Sequence, residues 1–302
     1  MGVLSNLFGY VLNALYDIFN NYGIAIILFS IILRVILIPI TISQQSSMKK
    51  TSKIQKQTQE LQKKYKNNQE KMNQELMELY KKEKINPFSG CFSAIIQIVI
   101  ILSVFWLVSQ PLTYMKHVQD MDIYKEYLDK VEEGNNKSYK EIAILNMVES
   151  DYQDIVKQLE NGEENKEKLE NRKNELNKLR LNMNFLGLDL SKVPTQSLND
   201  YKVYIIPILY VISSFVSIKM TTNMQNNKED KKETSGENAS EIEAMQSMNK
   251  SMTYMMPIMS VSIAVIAPLG LALYWLVSNV LMIVERLIIQ KIMNSKEENE
   301  NA

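Results

Sequence analysis

Hydrophobic positions along the chain fall into two kinds of run: long stretches almost free of charge, and narrow stripes at helical spacing inside charged segments. Gly23–Ile42 is apolar apart from Arg34, and Ser89–Ser109 has no charge at all. Tyr201–Met220 carries only Lys202 and Lys219, one near each end, where a lysine stem can lie along apolar surface with its ammonium in water. Ser251–Val284 is 34 uncharged residues, too long for one crossing, and its "APLGLAL" (Ala267–Leu273) supplies the proline and glycine of a turn. A bilayer is crossed by about 20 mainly apolar residues in a helix. The pattern therefore predicts five membrane helices, at 21–45, 88–110, 201–221, 251–267 and 268–290.

The charged segments carry a different period. Residues 1–20 place Leu4, Leu7, Phe8, Leu12, Leu15, Ile18 and Phe19 at helical spacing, the pattern of an amphipathic helix lying in an interface or of an extension of the first span. In 46–86, Ile54, Leu61 and Tyr65 form one stripe and Met72, Leu76, Leu79 and Tyr80 another, on either side of "KNNQ" (Lys66–Gln69). Two short helices in an antiparallel hairpin are predicted, ended by Asn86-Pro87, since the residue before proline is pushed out of helical geometry. Residues 111–200 read as a helical insert with Ile142, Met147, Ile155 and Leu159, a reversal at "NGEEN" (Asn161–Asn165), then Leu169, Leu176 and Leu179. It is either a solvated hairpin or an arm that binds a partner. Residues 222–250 and 291–302 read as a polar loop and tail.

Charge then orients the chain. The totals cancel at 34 basic and 34 acidic residues, but 46–86 hold 11 lysines against 5 glutamates, whereas 112–200 hold 13 basic against 18 acidic residues. Lysines close to span ends mark the cytoplasmic side. Lys49, Lys50, Lys53, Lys81, Lys82 and Lys84 put the 46–86 loop inside, the N-terminus and the long insert outside, and the C-terminus inside. The first 20 residues carry no basic n-region, so membrane entry is expected through the spans themselves. Cys91 is the single cysteine, which excludes an internal disulfide, and His117 is the single histidine, which rules out most histidine-based sites and suggests no metal site. No nucleophile triad and no phosphate-cradling glycine loop is present, so neither an enzymatic role nor a cofactor is expected.

Polar residues inside the spans recur four apart, on one helix face. They are Ser30 with Arg34, Ser93 with Gln97, Ser213 with Ser217, and Trp275 with Ser278 and Asn279. A lone serine is an ordinary packing residue between membrane helices, but stripes in four of the five spans point to a hydrated interior. Arg34 lies 8 residues before Ile42, roughly 12 Å at 1.5 Å per residue. An arginine at a helix centre costs about 2.5–3.5 kcal/mol on insertion. It either snorkels to the inner headgroups or faces a wet groove. The first four spans contain no Asp or Glu, and Glu285 has Arg286 as a neighbour, so Arg34 is expected to lack a partner carboxylate within the chain.

Several stretches, in order, match a known family. "NYGIAIILFSIILRVILIPI" carries Arg34 and Pro39, "ELQKKYKNNQEKMNQELMELYKKEKINPFSGC" leads into the second span, "MNFLGLDLS" (Met183–Ser191) precedes the third, and "APLGLALYWLVSN" (Ala267–Asn279) opens the last. Over roughly 20–112 and 183–292 the chain resembles the YidC/Oxa/Alb membrane protein insertases in their short Gram-positive-like form.

The resemblance implies an all-α polytopic membrane protein with five transmembrane helices around a hydrophilic groove, a cytoplasmic helical hairpin and, here, an extra helical arm outside. It implies an insertase or chaperone that captures the acidic or polar tail of a nascent membrane protein and releases its hydrophobic segment into the bilayer of a bacterial plasma membrane. Arg34, Ser30, Gln97, Ser93, Ser213, Ser217 and Asn279 would line the groove, with Tyr274 and Trp275 as aromatics touching the substrate. Implied partners are nascent single-span or small membrane proteins and the lipid bilayer, with the Sec translocon, the signal recognition particle pathway and the ribosome as candidates. No nucleic-acid specificity follows. Three departures stand out: Val99 in place of the family's proline after Gln97, "VER" (Val284–Arg286) in place of a glutamine-rich end, and a longer outer insert. A small transporter or channel is the rival reading, although ion coupling usually calls for intramembrane carboxylates or inverted repeats. A membrane scaffold using the outer arm is another.

Overall fold

The structure, a computed structural model, describes residues 2–65, 68–83, 89–134, 139–161, 165–226 and 263–300. The expected loop 222–250 beyond residue 226, most of the fourth span (251–262), the hairpin turn at 66–67 and the Asn86-Pro87 exit lie outside the described residues. The described chain is helical apart from one two-stranded hairpin. Among the described residues, three helices are long and apolar enough to cross a membrane, Tyr22–Ser47, Tyr201–Met220 and Leu269–Ile292. A fourth, uncharged over Ser89–Ser109, is apolar through Ile95–Ser109. The protein is an all-α polytopic membrane protein.

The chain divides into two compact units. The first comprises Met1–Leu33, Val99–Val211 and Val261–Asn279. Helix α1 (Gly2–Phe19) ends where Asn20 takes φ 46°, the left-handed conformation that stops helices. Asn21 then caps α2 (Tyr22–Lys64), its side-chain oxygen accepting from Ile24 N at 3.1 Å. Consecutive asparagines thus separate α1 from the span, so α1 is not its extension. Its inward face is Ser5, Gly9, Leu12 and Tyr16, of which only Leu12 belongs to the expected stripe, while Val3, Leu7, Ile18 and Phe19 stay exposed. Small residues face inward because α1 lies against backbone: a Cβ on Gly9 would overlap the Tyr114 carbonyl. Ser5 Oγ donates to the Ser103 carbonyl at 3.0 Å.

The insert packs as three helices, α6 (Asp122–Glu133), α7 (Lys140–Glu160) and α8 (Lys166–Leu179), after α4 (Ser89–Ser109) and the single turn α5 (Pro111–Tyr114). The two-helix reading therefore missed α6, whose stripe of Ile123, Tyr124, Tyr127 and Val131 is half aromatic and short. Tyr127, Ile144, Val148, Leu176 and Leu179 are all fully buried, making a core rather than a solvated arm. Arg180 pairs bidentately with Glu149 (2.7 and 3.0 Å) while stacking over the Tyr152 ring. Glu141, nearly buried, joins the insert to the α4–α5 corner. Its Oε2 accepts from the Leu112 and Thr113 amides at 2.7 and 3.0 Å, and its Oε1 accepts from the Tyr124 hydroxyl at 3.2 Å and from the Thr113 hydroxyl. Burial pushes the Glu141 carboxyl above its ordinary value, against the lowering effect of those hydrogen bonds.

Residues 182–192 tie helix starts together. Strands β1 (Asn184–Phe185) and β2 (Leu188–Asp189) pair antiparallel around Leu186 and Gly187, both at positive φ. Asn182 O accepts from Tyr22 N, Lys192 O from Leu269 N and Leu190 O from Gly270 N, at 2.9–3.0 Å. These bonds satisfy amides that a helix start leaves unpaired, on α2 and on α10 (Leu269–Glu300). The Phe185 ring packs where only Gly23 leaves room, since a Cβ there would lie 2.5 Å from it. A 3-10 turn, Tyr201–Tyr204, leads into α9 (Ile205–Asn226).

The second unit comprises Arg34–Ile98, Ile212–Ser260 and Val280–Ala302. Here α2 continues without a break through Pro39 to Lys64, so the first span and the first arm of the hairpin are one helix of 43 residues. Helix α3 (Gln69–Lys82) returns beside it. Asn68 caps it by accepting from Lys71 N at 3.0 Å, and Lys81 and Lys82 sit at its negative end. Ile54, Thr58, Met72 and Leu76 are buried along the hairpin, and the Tyr65 hydroxyl donates to Glu75 Oε1 at 3.1 Å near its turn.

Candidate functional site

In the second unit, Arg34 points to a residue that sequence reasoning had discounted. Its Nη1 lies 3.5 Å from Glu285 Oε2, with the two side chains 16% and 9% exposed. The expectation that Arg34 lacks a carboxylate within the chain is thus corrected. Reserving Glu285 for its neighbour Arg286 was the error: the carboxylate is within electrostatic reach of Arg286 and also meets Arg34. Glu285 shares a stripe of α10 with Ser278, seven positions earlier. The pair is long for a charge-assisted hydrogen bond, which runs about 2.7–2.9 Å. Among the described residues, the buried Glu285 Oε1 has no hydrogen-bond partner. The same unit holds Ser213 and Ser217, both buried and both engaged in polar contacts, and half-buried Gln97. Ser93 lies on α4, but its side chain is outside the described ones.

The first unit holds the remaining residues. Ser30 is buried, and its hydroxyl donates to the Ile26 carbonyl at 2.7 Å, one turn back along its own helix. Its proton is thus committed, while its oxygen lone pairs still accept. Tyr274 and Asn279 are buried, and Trp275 is half-exposed. The Trp275 ring sits 6.2 Å from that of Tyr210, an aromatic partner that no i,i+4 search within single spans could reveal. Tyr274, Ser278 and Asn279 all make polar or ring contacts. Among the described residues no cluster of His, Cys, Asp and Glu could hold a metal.

Within the second unit this amounts to an arginine in an apolar helix beside a carboxylate, one of whose oxygens lacks a hydrogen-bond partner among the described residues. Such a pair can exchange one anionic partner for another.

Known proteins agree with the motifs. The Caldanaerobacter subterraneus protein named membrane protein insertase YidC is 38% identical over 105 residues, covering 35% of this chain and 51% of that relative. The Clostridium perfringens protein of the same name is 40% identical over 113 residues, covering 34% and 48%. That of Buchnera aphidicola is 43% identical over 97 residues, covering 32% and 18%. The matched stretches thus span about half or less of those relatives' length. A family profile described as 60Kd inner membrane protein matches residues 14–297, nearly the whole chain. The chain belongs to that family, the YidC/Oxa/Alb membrane proteins.

Proposed function

We propose that this chain is a membrane protein insertase working without a cofactor or an enzymatic step. Five spans enclose a polar groove open to the cytoplasm. Arg34 there receives the acidic or polar tail of a nascent membrane protein, and the client's hydrophobic segment slides into lipid. Burying that segment supplies the driving force, at about 25 cal/mol per Å² of apolar surface removed from water. Ser30, Gln97, Ser93, Ser213, Ser217 and Asn279 keep the groove wet, and Tyr274 and Trp275 contact the client. The long insert and the N-terminus lie outside a bacterial plasma membrane, the hairpin and C-terminus inside. Single-span and other small membrane proteins are the clients, delivered by the ribosome, the signal recognition particle pathway or the Sec translocon.

The observation that carries this reading is Arg34 within an apolar span, 3.5 Å from a carboxylate that is itself short of donors. A pair this long can be exchanged for another carboxylate, such as the one in a client's tail. The test is protease protection of a single-span client with an acidic outer tail, in vesicles holding wild type, Arg34→Ala or Arg34→Lys. Protection should fall with Arg34→Ala and largely persist with Arg34→Lys. Equal protection with wild type and Arg34→Ala refutes the reading.

A further inference from the structure

At the start of α9 and α10 the first unit encloses a small polar pocket of about 220 Å³. Its lining includes Asp189, Lys192, Asp200 and Lys202, with Leu188 and Leu269. These four charges are not equivalent. Lys192 Nζ and Asp200 Oδ2 meet at 2.8 Å and cancel each other. Lys202, exposed, forms no ion pair among the described residues. Asp189 Oδ1 accepts from Ser191 N at 3.0 Å and from Ser191 Oγ at 2.6 Å, while its Oδ2 has no hydrogen bond among the described residues. What remains for a ligand is one ammonium and one carboxylate oxygen in a single pocket.

The pocket's position supplies the second clue. The segment 182–192 binds the first amides of two spans, and Lys202 begins a third, so the pocket lies at the level where apolar helices emerge from the hydrocarbon. Its chain neighbours are large, apolar and turned outward: Leu186, Leu198 and Tyr201 are 86%, 71% and 76% exposed. Leu186 also sits at φ 52°, followed by Gly187 at φ 76°, in a two-residue hairpin where asparagine or glycine normally takes the first position. A leucine held in a left-handed turn and pushed into water is unfavourable twice over. Both penalties have a use if the tip dips into the headgroup region of a bilayer, with Tyr201 as an interfacial aromatic.

We propose that this pocket binds the headgroup of a zwitterionic phospholipid bearing a primary amine. The phosphate sits on Lys202, the ammonium donates to Asp189 Oδ2, and Leu186, Leu198 and Tyr201 lie among the upper acyl chains. An anionic headgroup would satisfy Lys202 but leave Asp189 facing negative charge. A quaternary amine carries the right charge but has no N–H to donate. The proposal is independent of the insertase reading.

The experiment is native mass spectrometry of the delipidated full chain in detergent. It is titrated with phosphatidylethanolamine, phosphatidylcholine, phosphatidylglycerol or soluble O-phosphoethanolamine. Wild type should retain phosphatidylethanolamine about tenfold more tightly than the other two lipids or the soluble headgroup. Asp189→Asn, which keeps the acceptor for Ser191, should bring phosphatidylethanolamine down to the level of phosphatidylcholine. Lys202→Gln should weaken all three lipids, and Leu186→Ser should weaken the lipids but not O-phosphoethanolamine. Equal retention of phosphatidylethanolamine and phosphatidylcholine by wild type overturns the proposal. So does wild-type behaviour of both Asp189→Asn and Lys202→Gln in protein of unchanged thermal stability. O-phosphoethanolamine binding as tightly as the lipid would make the ligand a soluble one and overturn the membrane assignment.

Discussion

Glu141 offers the sharpest test of how the insert is attached. Its carboxylate receives four hydrogen bonds, from two backbone amides and two hydroxyls, across 28 or 29 residues of chain to the α4–α5 corner and 17 to α6. Glu141→Ala strands the Leu112 amide, on a fully buried residue, and the Thr113 amide. A stranded donor costs about 1–3 kcal/mol, the half-buried Thr113 amide no more than about 2, and the two hydroxyls can turn to other acceptors, so the loss is about 2–5 kcal/mol. Glu141→Gln should cost only about 1 kcal/mol, since its amide oxygen still accepts both backbone bonds and its NH₂ can donate to the rotated hydroxyls.

The assay is hydrogen–deuterium exchange of the full chain in detergent, read on peptides spanning 110–116. Local opening should rise roughly thirty- to several-thousand-fold in Glu141→Ala and about fivefold in Glu141→Gln. The pH dependence follows from the same burial. With the folded pKa raised above the ordinary 4.5, the folded state holds its proton more tightly. That contribution to stability is fully present below 4.5 and is lost as pH rises through the folded value. After correction for intrinsic exchange, wild-type protection should therefore fall as pH climbs from about 4.5, and Glu141→Gln should lack that slope. Exchange in Glu141→Ala within about threefold of wild type would show that the carboxylate does not hold the corner.

Three further outcomes follow from the geometry. Glu285→Gln removes the carboxylate that competes with a client's tail, so protease protection of the acidic-tailed client should hold or rise; a fall to the Arg34→Ala level would show that Glu285 is needed to aim the arginine. Gly9→Ala should lower stability by about 1–3 kcal/mol, because the methyl meets the Tyr114 carbonyl rather than a movable side chain. Gly2→Ala, with nothing within 4 Å, should change the melting temperature little. Trimming Thr58–Gln74 should impair growth of a strain depleted of its own insertase while leaving the protein in the membrane fraction; full rescue would make the hairpin dispensable.

Apolar runs and their flanking charges were enough to reveal a polytopic helical membrane protein, because crossing hydrocarbon demands a residue-by-residue composition visible without tertiary contacts. The two-stripe pattern of 46–86 was legible for the same reason: each stripe is a local period. The family, too, could be read from motifs in Gly23–Ile42 and Ala267–Asn279. Three things could not be read. The Tyr114 backbone comes so close to α1 that no side chain fits at Gly9, so Ser5 and Gly9 turn inward beside Leu12 and Tyr16, while Val3 and Leu7 stay out. The insert gained a third helix and a buried glutamate, because a carboxylate in a charged stretch looks solvated until its donors are found 28 residues away. Arg34 found Glu285, 251 positions along the chain. Sequence could show that the arginine is expensive where it stands. Only the folded chain could name its neighbour, because pairing depends on which helix faces meet, and a helix's own periodicity does not determine that.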